Sequence, residues 1–333
     1  SKKPETVTKE EETIKIGVTL PLTGPVAQFG QWRLRGMQLA VDEINTAGGI
    51  DGKKLDLILE DDRALPAEAQ KIVTKFINVD NVDYIIAGTS AVVPAVVSMV
   101  SDKLIFMPAF MPESVEANSN VFSMFPSLGY EMEILVNYIY NNLNLKKVSI
   151  MYVNNDLGLA AKNKFQERFI GVGGEIPLVE TFGISDTDYR TQLIKIKNTK
   201  SEGLVIIMSG EGLGNILKQA NELNLHIKYF GHTITESPVF LSVAGKAAEG
   251  IIYTYPFKLD QIEGSFLNKY KSKYNEAPEM YATASYDIIY TIAELVKKCG
   301  KNCNAGDVLT VDFSGAGGRI KFEKDRCRFS PIY

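Results

Sequence analysis

Few side chains in this chain have the type and spacing for bond-making chemistry. It holds two histidines, His226 and His232, and neither lies in an HExxH zinc-binding pattern. His226 reads as a surface residue in the turn before a strand. His232 follows a strand end, from which a side chain can face a crevice. No Gly-x-Ser-x-Gly elbow offers a serine nucleophile, and no Walker loop is present. Met208-Ser209-Gly210-Glu211-Gly212-Leu213-Gly214-Asn215 follows a strand and opens a helix, as a dinucleotide-binding loop does. Whichever glycine starts the pattern, its third glycine position holds Asn215 or Leu217. The next strand end, Tyr229-Phe230-Gly231-His232, has no acid for a ribose. Glu60-Asp61-Asp62 ends a strand; a metal there needs further ligands, and capping or loop hydrogen bonding is the plainer role. The residues therefore supply no nucleophile–base pair, and binding is the chemistry left.

The elements that position a binding site are clear. Ile14 to Leu20 is an apolar strand that ends in a Thr23-Gly24-Pro25 loop, and the loop opens an amphipathic helix reaching Ala47, before Gly48-Gly49. In open α/β sheets such loops, at the carboxyl ends of strands, form the ligand crevice. Further strands read at Leu55–Leu59, Val82–Ala87, Ile105–Met107, Val148–Val153, Glu175–Phe182, Leu204–Met208, Lys228–Phe230 and Gly250–Thr254. Helical runs read at Gln31–Ala47, Ala67–Val79, Tyr130–Leu143, Gly158–Val172, Tyr189–Lys197, Gly212–Leu223, Glu263–Tyr274 and Tyr281–Cys299. Strand–helix alternation with short apolar strands means βαβ units and mostly parallel sheets. There are too many strands for one compact sheet, so two α/β lobes are expected. Phe125-Pro126-Ser127 and Tyr255-Pro256-Phe257 are the expected crossovers, each with a proline that cannot continue a central ladder. A cleft between hinged lobes can bury a small ligand.

Bulk properties agree. The chain has 333 residues, 45% hydrophobic content and a net charge of −4, enough for real cores and without a basic nucleic-acid footprint. No apolar run is long enough to span a bilayer. Ser1 to Glu12 reads as a flexible polar lead, either a tether left by a removed export signal or a disordered end. Of three cysteines, Cys299 and Cys303 have the spacing of a small-loop disulfide if the chain is exported; otherwise all three are ordinary thiols.

The run Leu22-Thr23-Gly24-Pro25-Val26-Ala27-Gln28-Phe29-Gly30, then Ala40-Val41-Asp42-Glu43-Ile44-Asn45 and Gly48-Gly49-Ile50-Asp51-Gly52-Lys53, resembles the leucine/isoleucine/valine-binding proteins. These are type I periplasmic binding proteins that deliver amino acids to ABC transporters. The likeness continues through Asp61-Asp62, Gly88-Thr89-Ser90, Pro108-Ala109, Asp156-Leu157-Gly158, Leu217-Lys218-Gln219-Ala220 and Ala248-Glu249-Gly250. It covers nearly all of the chain after the polar lead, and its first block is the most specific.

The resemblance implies two Rossmann-like lobes joined by a three-strand hinge, with a ligand cleft between them and a third crossover near Ile320–Phe322. The lead would be residues 1–13, the N-terminal lobe 14–126 plus 257–321, and the C-terminal lobe 127–256 plus 322–333. It implies that Ser90, flanked by Thr89 and Ala91 before a helix near Val92, holds the ligand carboxylate. A hydroxyl and free N–H groups at a helix start suit an anion, while helix capping is the plainer role. Ala109 matches the small residue whose carbonyl takes the ligand ammonium. The following threonine is replaced by Met111, next to Phe110. Phe29 matches an aromatic residue bordering the ligand side chain, with core packing as its plainer role. In the second lobe the stacking tyrosine falls at Leu157, another tyrosine near Gly210 or Glu211, and the acid that pairs with the ammonium at Thr233. A buried ammonium without a carboxylate is costly. Either Glu211, Glu236 or Asp156 takes that role, Glu211 first because it leaves a strand end, or the ligand has no ammonium.

The expectation is an extracytoplasmic solute-binding protein of an ABC transporter, without catalytic activity, metal or cofactor. It binds a small hydrophobic amino acid or related carboxylate by lobe closure and docks to a membrane permease. Two alternatives stay open: a ligand-binding domain of a sensor or receptor, and a ligand that is an aliphatic or aromatic acid lacking an amine. The location expected is periplasmic or otherwise extracytoplasmic, with a lipid anchor through a removed N-terminal segment as one option.

Overall fold

The computed structural model describes residues 13–100, 102–115, 118, 120–235, 237–256, 264–322 and 327. The expected polar lead, apart from Thr13, lies outside them, as do Glu236 and Phe257.

In chain order the elements are β1 (Ile14–Leu20), α1 (Ala27–Thr46), β2 (Leu55–Asp61), α2 (Pro66–Lys75), β3 (Tyr84–Ala87), α3 (Val93–Val96), β4 (Ile105–Met107) and β5 (Val121–Ser123). Then come α4 (Leu128–Asn137), β6 (Val148–Val153), α5 (Asp156–Gly171), β7 (Val179–Phe182), α6 (Arg190–Lys197), β8 (Gly203–Ile207), α7 (Gly210–Glu222), β9 (Lys228–Gly231), α8 (Pro238–Ala244) and β10 (Ile252–Tyr253). The last are α9 (Gly264–Tyr274), α10 (Met280–Cys299), α11 (Ala305–Val308), β11 (Asp312–Gly315) and β12 (Gly318–Lys321).

The chain divides into two compact units. One takes the described residues through Pro126 and those from Gly264 to Cys327; the other takes those from Ser127 to Pro256. The first unit holds a five-stranded parallel sheet in the order β2-β1-β3-β4-β5, with Ile16 opposite both Leu57 and Tyr84. All of β1 but Lys15 is buried, as helix cover on both faces requires. One face carries a core of Val73, Phe76, Ile85, Val93, Val96, Ile105, Met107 and Val121; on α1 the buried stripe includes Met37, Leu39, Ala40, Val41 and Ile44. Helices α1 and α10 pack so closely that a Cβ on Gly36 would stand 2.0 Å from the Ala282 carbonyl oxygen. The β11–β12 hairpin is fastened to α10 by Asp287, which accepts from the Ala316 and Gly317 N–H groups at 2.6 and 3.0 Å.

The second unit holds another five-stranded parallel sheet, β10-β9-β8-β6-β7. One face is covered by a core containing Leu193, Leu213, Ile216, Leu217 and Phe240, the other by Met132, Leu135, Ile139, Phe165 and Phe169.

Most strands and long helices match their expected positions. Three strands went unread: β5, β11 and β12. Two expected helices end in π-type segments, Phe76–Asp80 after α2 and Tyr138–Asn142 after α4. The helix expected near Val92 is a single turn. Near Ile320–Phe322, where the resemblance implies a third crossover, Phe322 lies edge-on to Phe122 at 5.5 Å, and Cys327 forms an isolated β-bridge with Ser123. Cys299 and Cys303 form a disulfide with Cα atoms 5.3 Å apart.

Candidate functional site

In the first unit, the loops leaving β1, β3 and β4 carry the expected residues. The first loop is clamped from β2: Asp61 accepts from Leu22 N at 2.8 Å and from the Thr23 hydroxyl at 2.5 Å. Asp62, fully buried, accepts from the Thr19 hydroxyl at 2.6 Å and from Ala64 N at 2.8 Å. Burial pushes its carboxyl up from the usual range. The two aspartates fasten a loop. Among the described residues, no group of three or more His, Cys, Asp or Glu side chains could hold a metal.

After β3, Ser90 is half-buried and donates its hydroxyl proton to Phe110 O at 2.7 Å. The Thr89 hydroxyl is buried without a partner among the described residues, and Ala91 is exposed. Because α3 has only four residues, a helix-terminus argument for an anion has little weight here; the polar atoms of the loop itself remain. After β4, Ala109, Phe110 and Met111 are all buried. Ala109 O already accepts from the Ser123 hydroxyl at 2.6 Å, and Met111 belongs to the apolar core with Val96, Val115 and Val121.

Phe29 is half-buried and opens an aromatic cluster. Its ring meets Trp32 and Tyr281 edge-on at 5.4 and 5.5 Å. Tyr281 in turn stands 5.7 Å from Phe125, which is 5.1 Å from Phe110. Arg33, 4% exposed, lies in the midst of these rings. Its guanidinium donates to Phe29 O at 2.9 Å and to Pro108 O at 3.3 Å. Burial lowers its pKa, opposed by Tyr281, Glu279 and Asp62. Glu279, which caps α10 by accepting from Tyr281 N and Ala282 N, is pushed up to about 7 by burial, against those N–H donors and Arg33.

In the second unit the carboxyl ends of β6 and β8 meet the starts of α5 and α7 around a cavity of about 340 Å³. Val153, Leu157, Ile184, Ile207, Met208 and Ile234 give it apolar walls; Asn155, Ser209 and Glu211 are its polar side chains among the described residues, none of which brings a cationic side chain to it. Asn155 caps α5 by accepting from Gly158 N at 2.8 Å. Gly210 begins α7 at φ +62°, a conformation that suits glycine. Leu157 and Glu211 are thus brought together. Thr233 is not: it is buried, and its N–H and hydroxyl both donate to Glu131 Oε1. His232 is also buried, with Nδ1 3.8 Å from that oxygen. His226 is exposed.

A family model described as "Periplasmic binding protein" matches residues 13–326. The chain belongs to the periplasmic binding protein family. Among curated relatives, this periplasmic binding protein is 23% identical over 298 residues to the leucine-, isoleucine-, valine-, threonine- and alanine-binding protein of Pseudomonas aeruginosa, covering 87% of this chain and 79% of the relative. It is 23% identical over 289 residues to the Leu/Ile/Val-binding protein of Escherichia coli K12, covering 84% and 78%. Among solved structures it matches the branched-chain amino acid substrate-binding protein LivJ of Streptococcus pneumoniae in complex with isoleucine, with a TM-score of 0.84, 28% identity and 97% and 95% coverage. A solute-binding protein of Rhodopseudomonas palustris in complex with benzoate matches with a TM-score of 0.82, 21% identity and 96% and 92% coverage. The resemblance read from the Leu22–Lys53 blocks is borne out, and these relatives are named as binding proteins.

Several residues that shape this periplasmic binding protein's sites escaped the sequence reading. Arg33 looked like one more charge on an amphipathic helix. Tyr281 reaches Phe29 from the far end of the chain, which no local pattern reports. Glu131 had a signal: it falls on the buried stripe of α4 with Met132, Leu135 and Val136, where helical spacing marks an acid as misplaced.

Proposed function

We propose that this chain is the solute-binding component of an ABC transporter, acting outside the cytoplasm and handing a small hydrophobic amino acid or related carboxylate to a membrane permease. The observation that carries this reading is the second unit's cavity, whose walls are mostly apolar and where Glu211 is the one charged side chain among the described residues. Such a pocket suits an aliphatic or aromatic body and a cationic or hydrogen-bond-donating group. In the first unit, the polar loop of Thr89, Ser90 and Ala91 suits the ligand's carboxylate. Phe29 and Phe110 contribute aromatic contact. The Cys299–Cys303 disulfide fits an oxidising compartment, and no described helix is long and apolar enough to cross a membrane. The relatives' function supports binding without turnover.

An acid lacking an amine is the second reading. It is favoured by Thr233, which stands where the resemblance places an acid and is fully engaged by Glu131, and by the aromatic cluster of the first unit.

A thermal-shift panel tests both. Leucine, isoleucine, valine and phenylalanine are compared with their deaminated 2-oxo acids and with benzoate. Stabilisation by the amino acids alone supports Glu211 as the amine partner, and stabilisation by the acids alone supports the second reading. No shift with any carboxylate counts against both. Uptake in vesicles carrying the neighbouring permease separates transport from a sensory role.

A further inference from the structure

The geometry points to Glu131 as a positioning residue for the ligand cavity of the second unit: its carboxylate fixes the Thr233–Thr235 turn, and so sets where Ile234 stands in the cavity wall. This rests on the binding reading above and adds the group that tunes that cavity's shape.

Glu131 lies in the first turn of α4, close to Ser127, where the chain enters the second unit. It is fully buried. Its Oε1 accepts from Thr233 N at 2.6 Å, from the Thr233 hydroxyl at 2.5 Å and from the Thr254 hydroxyl at 2.5 Å. Thr254 follows β10, just before Pro256, near the end of the described part of this unit. One oxygen thus ties together the entry helix, the end of β10 and the turn after β9. That turn is a 3₁₀ segment of three residues, Thr233–Thr235, with Ile234 at its centre and on the cavity. On the other side of Ile234, Thr235 N donates to His232 O at 2.7 Å.

A carboxylate is suited to this task because three donors converge on one oxygen, and charge-assisted bonds are shorter and stronger than neutral ones. Burying it is costly, and an apolar side chain on α4 would fill the same space, so the charge is best understood through the turn it gathers. The titratable group facing it is His232, with Nδ1 at 3.8 Å. On the outer side of α4, Glu133 pairs with Arg168 of α5 at 2.9 Å and leaves Glu131 to the turn. Burial raises the Glu131 pKa, but His232 and the two threonines outweigh it and hold the carboxyl below the usual glutamate range.

The test is calorimetric titration of the full chain with leucine and valine, comparing wild type with Glu131→Gln, Ile234→Ala and the double variant. Glu131→Gln is expected to weaken leucine binding roughly 10-fold and to flatten the leucine-to-valine affinity ratio, as Ile234→Ala does. The double variant is expected to be no weaker than the weaker single one, because both changes act on one element. Additive effects, or a Glu131→Gln protein that is less stable but keeps the wild-type affinities and ratio, would overturn the proposal. Should Glu131→Gln fail to fold, Thr254→Val removes one donor and is expected to shift the ratio the same way; an unchanged ratio overturns the proposal. If neither amino acid binds the wild type, it is the binding reading that fails. Hydrogen exchange then decides the positioning role. Amides of Thr233 and Thr235 are expected to exchange roughly 10-fold faster in the variant, and unchanged exchange refutes it.

Discussion

The Arg33 guanidinium lies 4.1 Å above the centroid of the Tyr281 ring, and from there it donates to the carbonyl of Phe29 in the first turn of α1 and to that of Pro108 in the loop after β4. An arginine is needed for this geometry, since its planar fork reaches two acceptors while its face stacks on an aromatic ring. Arg33→Met keeps most of the stem but removes the side-chain donor to both carbonyls, that of Pro108 being a buried contact. It is expected to destabilise the protein by about 2–4 kcal/mol in denaturant unfolding. Arg33→Lys, with a point charge in place of the fork, should fall between. Equal stability of the lysine variant and the wild type would show that the fork is dispensable.

Ser90 and Thr89 test the anion-binding role proposed for the loop after β3. The Ser90 hydroxyl gives its proton to Phe110 O, which leaves its oxygen free only to accept. Any help to a ligand carboxylate must then come from loop N–H groups or the Thr89 hydroxyl, with Ser90 holding the loop in place. Ser90→Ala is expected to lower ligand affinity about 5-fold and stability by about 1 kcal/mol. Thr89→Val is expected to weaken binding by a similar factor with little loss of stability, because that hydroxyl has no partner among the described residues. Titration calorimetry and unfolding on both variants check this. Undiminished affinity in both places the anion site elsewhere.

What the sequence made legible follows the range of the signal. Strands such as Ile14–Leu20 and helices such as Met280–Cys299 declare themselves through local apolar runs and caps. So do the loops at strand ends, where the resemblance placed Ser90 and Leu157 and where Glu211 leaves its strand. Strand β5 is three residues long, and its place is set by pairing with β4, which no local run reveals. Met111 was named because it stands where the resemblance places a threonine, and its side chain packs into the core. Thr233 was named because the resemblance places the ammonium-pairing acid there; in the structure its N–H and hydroxyl donate to a carboxylate arriving from α4. Arg33, Tyr281 and Glu131 depend on contacts between distant segments, and only Glu131 broke a local rule visibly enough to be noticed.

Glu279 makes stability depend on pH in a direction opposite to most acids. Its carboxyl is raised from 4.5 to about 7 in the folded protein, burial being the main cause. Between those values the folded state holds a proton that the unfolded chain has lost. The stabilisation is therefore complete below about 4.5 and disappears as pH rises through about 7, a change of about 3 kcal/mol. Glu131 acts the other way: its lowered value means that its contribution is present above the ordinary glutamate range and is lost only as pH falls below it. Glu279→Gln, which stays neutral throughout, should remove the decline between pH 4.5 and 7. Urea midpoints measured across that range report it, and parallel slopes for wild type and variant would contradict it.

Two glycine-to-alanine changes should have opposite signs. In a helix, alanine is normally favoured over glycine by about 1 kcal/mol. Gly171, the last residue of α5, has nothing within 4 Å of the Cβ it would gain and no left-handed backbone, so Gly171→Ala should stabilise by about 0.5 kcal/mol. At Gly36 the same Cβ would stand 2.0 Å from the Ala282 carbonyl oxygen and 3.0 Å from its Cα. Both are backbone atoms that cannot rotate away. Relief requires α1 and α10 to part, so overpacking outweighs propensity and Gly36→Ala should destabilise by at least about 2 kcal/mol. Because Tyr281 immediately precedes Ala282, that movement also carries its ring away from Phe29 and Arg33, and ligand affinity should fall together with stability. An alanine at position 36 that left both unchanged would mean that the two helices are held less tightly than their packing indicates.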